Sequence, residues 1–397
     1  MTHTSLFKNV WLLSLAQALM MSVNTLLFTM SAILGFELAE TKSLATLPMA
    51  IQFCVTMLTS IPASIFMSYY GRKAGFILSS CIGFTGTLFA IYAVTEHSFL
   101  IYCISTAMFG VYTGFGNYFR FVAAEVSPPD KRNSAISYVL AGGVIAAVVG
   151  PNLASYTRDM FTITYLGSFI AVFILYGLNL VNFIFMELPR PINQAIKEYA
   201  RPLRSIISQP VYLVALLSAA LGYSMMTLLM TATPLAMKQQ HMDFSDVAFV
   251  IQWHVLGMFV PSFFTGHLMN RFGIERVIFS GTLLIFACIS INLTGTSLWH
   301  FWLALALLGV GWNFMFIGGT ALLTRTYSET EKAKAQAFND FVVFSTVTLS
   351  SLGAGALQYL VGWQIVNISV LPCVFICLVS IAWVDLKNRR QTGKDTP

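Results

Sequence analysis

The sequence predicts an all-α, polytopic membrane protein of twelve transmembrane helices in two pseudo-symmetric six-helix bundles. Three observations carry that prediction. First, 57% of the 397 residues are hydrophobic and only 10% charged, with a mean hydropathy of +0.74, a balance that leaves too little polar surface for a water-soluble domain. Second, long apolar runs recur from end to end, each able to cross a hydrocarbon layer about 30 Å thick. Without water in that layer to satisfy the backbone, such runs must be helical. Third, the chain repeats itself after about 200 residues. Ile51-Gln52-Phe53-Cys54-Val55 reads against Ile251-Gln252-Trp253-His254-Val255, and the stretch 64–73 is echoed by 266–276.

In chain order the runs are 10–34, 44–68, 74–94, 99–121, 134–156, 163–186, 211–237, 246–269, 277–294, 299–323, 335–360 and 363–384. The first exceeds the apolar region of a signal peptide and no small-x-small site follows it, so it reads as a retained span. Residues 1–186 then form one bundle and 211–386 the other, with a linker at 187–210 and a basic tail at 387–397. With the amino terminus in the cytoplasm, only Lys42, Arg158 and Lys238 of the 22 Lys and Arg fall on the far side. That asymmetry predicts both termini inside. The compact loops point to a bacterial inner membrane, with lipid as the surrounding partner. The formal charge of +6 therefore reports topology, and no nucleic-acid partner is expected.

The smaller features follow the same plan. All six cysteines lie in apolar runs, where free cysteine behaves as a small apolar residue. In the linker, Ile192, Ala195, Ile196 and Tyr199 could share one face of a short helix on the membrane surface. The loops before Ser134 and Ala335 place acids and Ser or Thr at helix starts, where free amides and the dipole favour them. Glycines gather in spans 4, 5, 10 and 11, Gly110, Gly150, Gly309 and Gly355 among them, and let backbones approach closely.

The stretches 64–73 and 266–276 read as short cationic turns, and they resemble the loop signature of the major facilitator superfamily, G-x-L-x-D-R-x-G-R-[RK]. Gly266, Leu268, Arg271 and Gly273 fit in the second copy, and Gly71, Arg72 and Lys73 in the first. Ser68 and Asn270 stand where the family has an acid. The resemblance implies the family's fold, transport by alternating access, and a cytoplasmic gate of Ser68, Gly71, Arg72, Lys73, Gly266, Asn270, Arg271 and Gly273. In the family the acid meets a helix start in the opposite bundle. Here the latch is expected to be weak, with Asp340 supplying negative charge for Arg72 or Lys73. Gly150-Pro151 resembles the family's exporter signature G-P-x-x-G-G, except that Ala154 and Ser155 replace its last glycines.

No G-x-x-x-x-G-K-[ST], H-E-x-x-H or metal-spaced Cys/His set is present, so no enzyme, metal or cofactor is expected and energy must come from a gradient. The resemblance implies that helices 1, 4, 7 and 10 line the solute site. Their mid-depth polar and aromatic residues are Gln17, Asn24, Asn117, Tyr223, Thr227, Trp312 and Asn313. Such side chains should face the bundle interior, to contact solute or to bond between helices. Gln52 and Gln252 repeat between the halves, which favours a structural role. The candidates for proton coupling are His254, Asp340 and Arg120. Imidazole titrates in a useful range, and Arg120 resembles the family's helix-4 arginine. With almost no charge at mid-depth, the expected activity is secondary active transport of a small, uncharged or amphipathic organic solute by a monomer. The alternatives are a transporter-like sensor without flux and, within transport, an importer of a vitamin or iron chelate against an exporter of toxic compounds.

Overall fold

Each apolar run becomes helix in the computed structural model, which describes residues 3–128, 131–188, 201–328 and 330–392. The first bundle comprises α1 (His3–Leu38), α2 (Leu47–Tyr70), α3 (Arg72–Thr95), α4 (Phe99–Gly116), α5 (Phe119–Glu125), α6 (Arg132–Thr157) and α7 (Leu166–Ile184). After the short α8 (Leu203–Ile207), the second comprises α9 (Pro210–Gln239), α10 (Phe244–Phe259), α11 (Ser262–Phe272), α12 (Ile274–Thr294), α13 (Leu298–Leu323), α14 (Lys332–Ile368) and α15 (Leu371–Thr392).

Two runs that read as continuous are interrupted. The fourth span is α4 plus α5, parted at Asn117 and Tyr118, and the eighth is α10 plus α11, bent by 44°. Conversely, the stretch 334–383 is one apolar segment of 50 residues, about twice what a bilayer needs. Gly362, at φ 79°, divides it into two spans and brings the described residues to twelve crossings. The last helix continues to Thr392, into the stretch expected to be a tail. The apolar face expected around Ile192 to Tyr199 lies outside the described residues.

The turns shrink most. Ser64 and Gly266 lie inside helices, and a single glycine joins each pair: Gly71 at φ 91°, ψ 157° and Gly273 at φ 90°, ψ 152°. Only glycine adopts that region without strain. Nothing lies within 4 Å of a Cβ placed at Gly71, so backbone conformation alone demands the residue. Gly71→Ala and Gly273→Ala should therefore each cost about 1–3 kcal/mol, read as a lower Tm in detergent. Gly266→Ala, helical and in open space, should not. A wild-type Tm for Gly71→Ala would contradict the strain argument.

Ion pairs brace the helix ends beside these turns, with the charges reversed between copies. Arg72 donates to Glu125 at 2.7 and 3.2 Å, tying the start of α3 to the end of α5. Glu275 at the start of α12 faces Arg325 beyond α13 at 4.0 Å. Lys73 donates to the carbonyls of Ile184 and Met186 at 2.7 and 2.9 Å. In this arrangement partners on their own bundle take both Arg72 and Lys73, and Asp340 serves neither. The linker is pinned where it rejoins the second bundle. Arg201 grips the buried Glu331 with two bonds of 2.7 Å. The Arg201 guanidinium, then the Ser328 and Arg201 amides, hold that carboxyl well below its usual range, so the grip persists at all pH above the ordinary carboxylate pKa.

The bundles are built alike. In the first, α1 packs on α6 and α2 and α3 on α4; in the second, α9 packs on α14 and α10 and α12 on α13. Across the middle, α6 meets α10 and α2 meets α14. Ala32, Ile33, Ala45, Met49, Phe53 and Ala147 of the first bundle are buried in the core of the second. All six lie toward the end poor in Lys and Arg, and there the bundles fuse.

Candidate functional site

The fused end holds the three cations that the sequence set apart. Lys238 pairs with Glu37 across the bundles at 2.7 Å. Lys42 and Lys238 stand over the Phe36 ring at 5.2 and 5.5 Å, and Arg158 lies over Phe244 of the other bundle at 4.9 Å. Just inside, Thr46 donates to the Leu352 carbonyl and accepts from the Gly355 amide, while Asn152 donates to Gln252. At the cation-rich end the gate residues are apart. Ser68 is exposed and its hydroxyl donates to Ile65 of its own helix. Asn270 is exposed, with no side-chain bond among the described residues. Arg271 rests on the neighbouring Phe272 ring, 5.2 Å away. The molecule is closed at one end and open at the other.

The open space exposes Arg120 of α5 and Asp340 of α14, although both belong to membrane-crossing spans. They come from opposite bundles and lie within electrostatic range of each other, and Arg120 also feels Tyr223. No direct ion pair joins them. Beside them Tyr223 meets Trp312 and Phe316 edge-on, at 5.3 and 5.4 Å, and Phe344 at 6.2 Å. Trp312 and Phe316 stack nearly parallel, 5.0 Å apart at 9°. The buried Trp312 indole N–H has no partner among the described residues. The result is an aromatic shelf on the second bundle with one cation and one anion alongside.

The other polar residues divide into two groups. Gln17 and Asn117 are half-buried with no internal side-chain bond among the described residues, Asn117 at the break between α4 and α5. Thr227 is fully buried and its hydroxyl is unpartnered among them. Asn24, in contrast, accepts from Gln52 at 3.1 Å and Thr113 at 3.4 Å, knitting α1, α2 and α4 together. Asn313 is fully buried and bonded to Met258, Ser262 and Thr265. His254 is also fully buried, its Nδ1 at 2.9 Å from the Leu305 carbonyl and its Nε2 unpartnered among the described residues. Its backbone carbonyl sits where a methyl on Gly309 would clash, so α10 and α13 meet there at close quarters. The sequence reading missed Phe316 and Phe344. Phe316 lies one helical turn beyond Trp312, and the i, i+4 spacing could have revealed it; only packing brings Phe344 into the group.

Two repeated helical bundles, fused at one end and parted at the other around an aromatic and polar space, define a secondary transporter of the alternating-access type. The chain belongs to the major facilitator superfamily, whose family model matches residues 11–253 and 215–397. Among its relatives, the riboflavin transporter RfnT of Brucella anthropi is 37% identical over 95% of this chain and 96% of its own. The transporter YdeG of Bacillus subtilis, of the same superfamily and uncharacterised, is 28% identical over 83% of this chain and 80% of its own. The nucleoside transporter NupG superposes with a TM-score of 0.72 over 94% of this chain and 99% of NupG. At 12% identity that likeness speaks for the fold alone.

Proposed function

We propose that this chain carries riboflavin or a closely related flavin across a bacterial inner membrane by alternating access, with its cation-rich end and both termini in the cytoplasm. The observation that carries the reading is the 37% identity to a riboflavin transporter over almost the whole chain. The chemistry of the central space agrees with it. A flavin presents a flat aromatic ring system, which gains from stacking and edge contacts with Trp312, Phe316 and Tyr223. Its polyol chain needs hydroxyl and amide partners, and Gln17, Asn117 and Thr227 have that capacity to spare. Arg120 and Asp340 balance each other, which suits an uncharged solute. Orientation follows from the positive-inside rule, and the conformation is then inward-open, with Glu37 and Lys238 holding the outer side shut.

Uptake of labelled riboflavin into proteoliposomes tests the proposal. Saturable uptake is expected, with unlabelled riboflavin and lumiflavin competing and the phosphorylated flavin FMN competing poorly because of its charge. An imposed proton gradient should drive accumulation if transport is proton-coupled. Riboflavin binding without flux would favour the sensor alternative. The absence of both, with another solute transported, would refute the flavin assignment.

A further inference from the structure

The bend in the eighth span has an identifiable cause. Pro261 lacks an N–H and interrupts the ladder between α10 and α11. Across that gap reaches Asn313 of α13, with no exposed surface. Its Nδ2 donates to the Met258 carbonyl at 2.6 Å, on the last turn of α10, and to the Ser262 hydroxyl at 2.7 Å, on the first turn of α11. Its Oδ1 lies 2.7 Å from the Thr265 hydroxyl, also on α11, whose single hydrogen is shared between it and the Pro261 carbonyl, likewise at 2.7 Å. One side chain thus holds both arms of the bend.

The first half of the chain offers a partial comparison. Pro62 lies in the corresponding helix α2, one to three residues further along the repeat than Pro261, and α2 runs unbroken from Leu47 to Tyr70. Where the second half has Asn313, the first has Thr113, whose hydroxyl bonds the Phe109 carbonyl of its own helix and Asn24. A threonine has one hydrogen to donate, and here it is not spent on α2. α2 thus accommodates its proline without a helix break, whereas α10 and α11 are bent by 44°.

Asn313 follows Trp312 in the chain, so adjacent residues of α13 serve the aromatic shelf and the bend. The far arm, α11, ends in Asn270, Arg271 and Phe272 at the open end. We propose that Asn313 is a positioning residue of the transport cycle. It sets the angle of α11 and transmits occupancy of the shelf at Trp312 to the gate at 266–276. The transmission step rests on the solute site proposed above; the control of the bend does not.

The test uses the full-length protein in a cysteine-depleted background, with spin labels at the exposed positions Lys131 and His267. Asn313→Thr installs the residue of the first half. Thr265→Val removes one bond from the α11 side while nearly keeping volume, and serves if Asn313→Thr does not fold. Without solute, both variants should shift the label distances from wild type, in the same direction. With riboflavin, each should lose about tenfold or more in transport rate, while the riboflavin Kd changes less than about threefold. Their combined effect should be far from additive, because they break one network. Unchanged distances in the solute-free variants would overturn the control of the bend. A Kd rising in step with the loss of transport would make Asn313 a solute contact and overturn the positioning role. If the wild type binds no riboflavin, the flavin assignment fails, and the solute-free distances still decide whether Asn313 sets the bend.

Discussion

Truncating Trp312 to alanine is expected to raise the half-saturating riboflavin concentration about tenfold to a hundredfold, the largest effect of any single aromatic replacement. Trp312 joins two ring contacts, the stack on Phe316 and the edge against Tyr223, so its removal takes one face of the shelf and unsettles the other two. Losing an aromatic contact area of that size is worth about 1.5–3 kcal/mol, and each 1.4 kcal/mol is about tenfold in affinity. Trp312→Phe separates the face from the hydrogen bond. It keeps an aromatic ring for the stack but removes the five-membered part of the indole with its N–H, which is buried without a partner among the described residues. If that N–H serves the solute, Trp312→Phe should lose roughly tenfold. Unaltered saturation in Trp312→Ala, in protein shown to be folded by its Tm, would remove the shelf from the solute site.

The second large effect is expected at Arg120 and Asp340. In the open arrangement water reaches both, and screening keeps their attraction small. Closure of the open end would bring the bundles together and expel that water. A charge left there without its counterpart costs about 3–5 kcal/mol. Arg120→Gln and Asp340→Asn should therefore each slow net transport about a hundredfold or more by opposing closure. The reversed pair, Arg120→Asp with Asp340→Arg, should recover to within about tenfold of wild type. If Asp340 also carries the driving proton, Asp340→Asn should lose pH-driven accumulation yet retain exchange of labelled for unlabelled riboflavin. Failure of the reversed pair to recover anything, with both singles folded, would mean that the two residues act separately.

Much of the architecture was legible because a bilayer leaves the chain few choices. Apolar length alone dictates where helices lie, and the repeat around Gln52 and Gln252 announces two bundles of one design. The same repeat says less about detail. Gln52 serves its own bundle through Asn24, whereas Gln252 reaches across to Asn152 of the other. The residues now sharing its surroundings differ, so one sequence pattern yields two roles. Asn313 shows the same limit. A buried asparagine in a helix expected to line the solute site reads equally as contact or staple, and only its bonds to Met258, Ser262 and Thr265 distinguish them.

What the sequence by itself determined is the class of object: membrane-crossing helices, their duplication, and the superfamily to which the chain belongs. Those properties follow from composition, run length and local motifs, which need no knowledge of distant contacts. Tertiary structure decided which end is shut and what holds it, from Glu37 and Lys238 to the shared core around Phe53. It also decided that Arg72 turns to Glu125 rather than Asp340, and that Tyr223, Trp312, Phe316 and Phe344 form one surface. The reason is physical. In lipid every helix is locally satisfied, so local sequence says little about which faces meet; pairing is set by side chains far apart in the chain, where one small residue or one hydrogen bond shifts the balance.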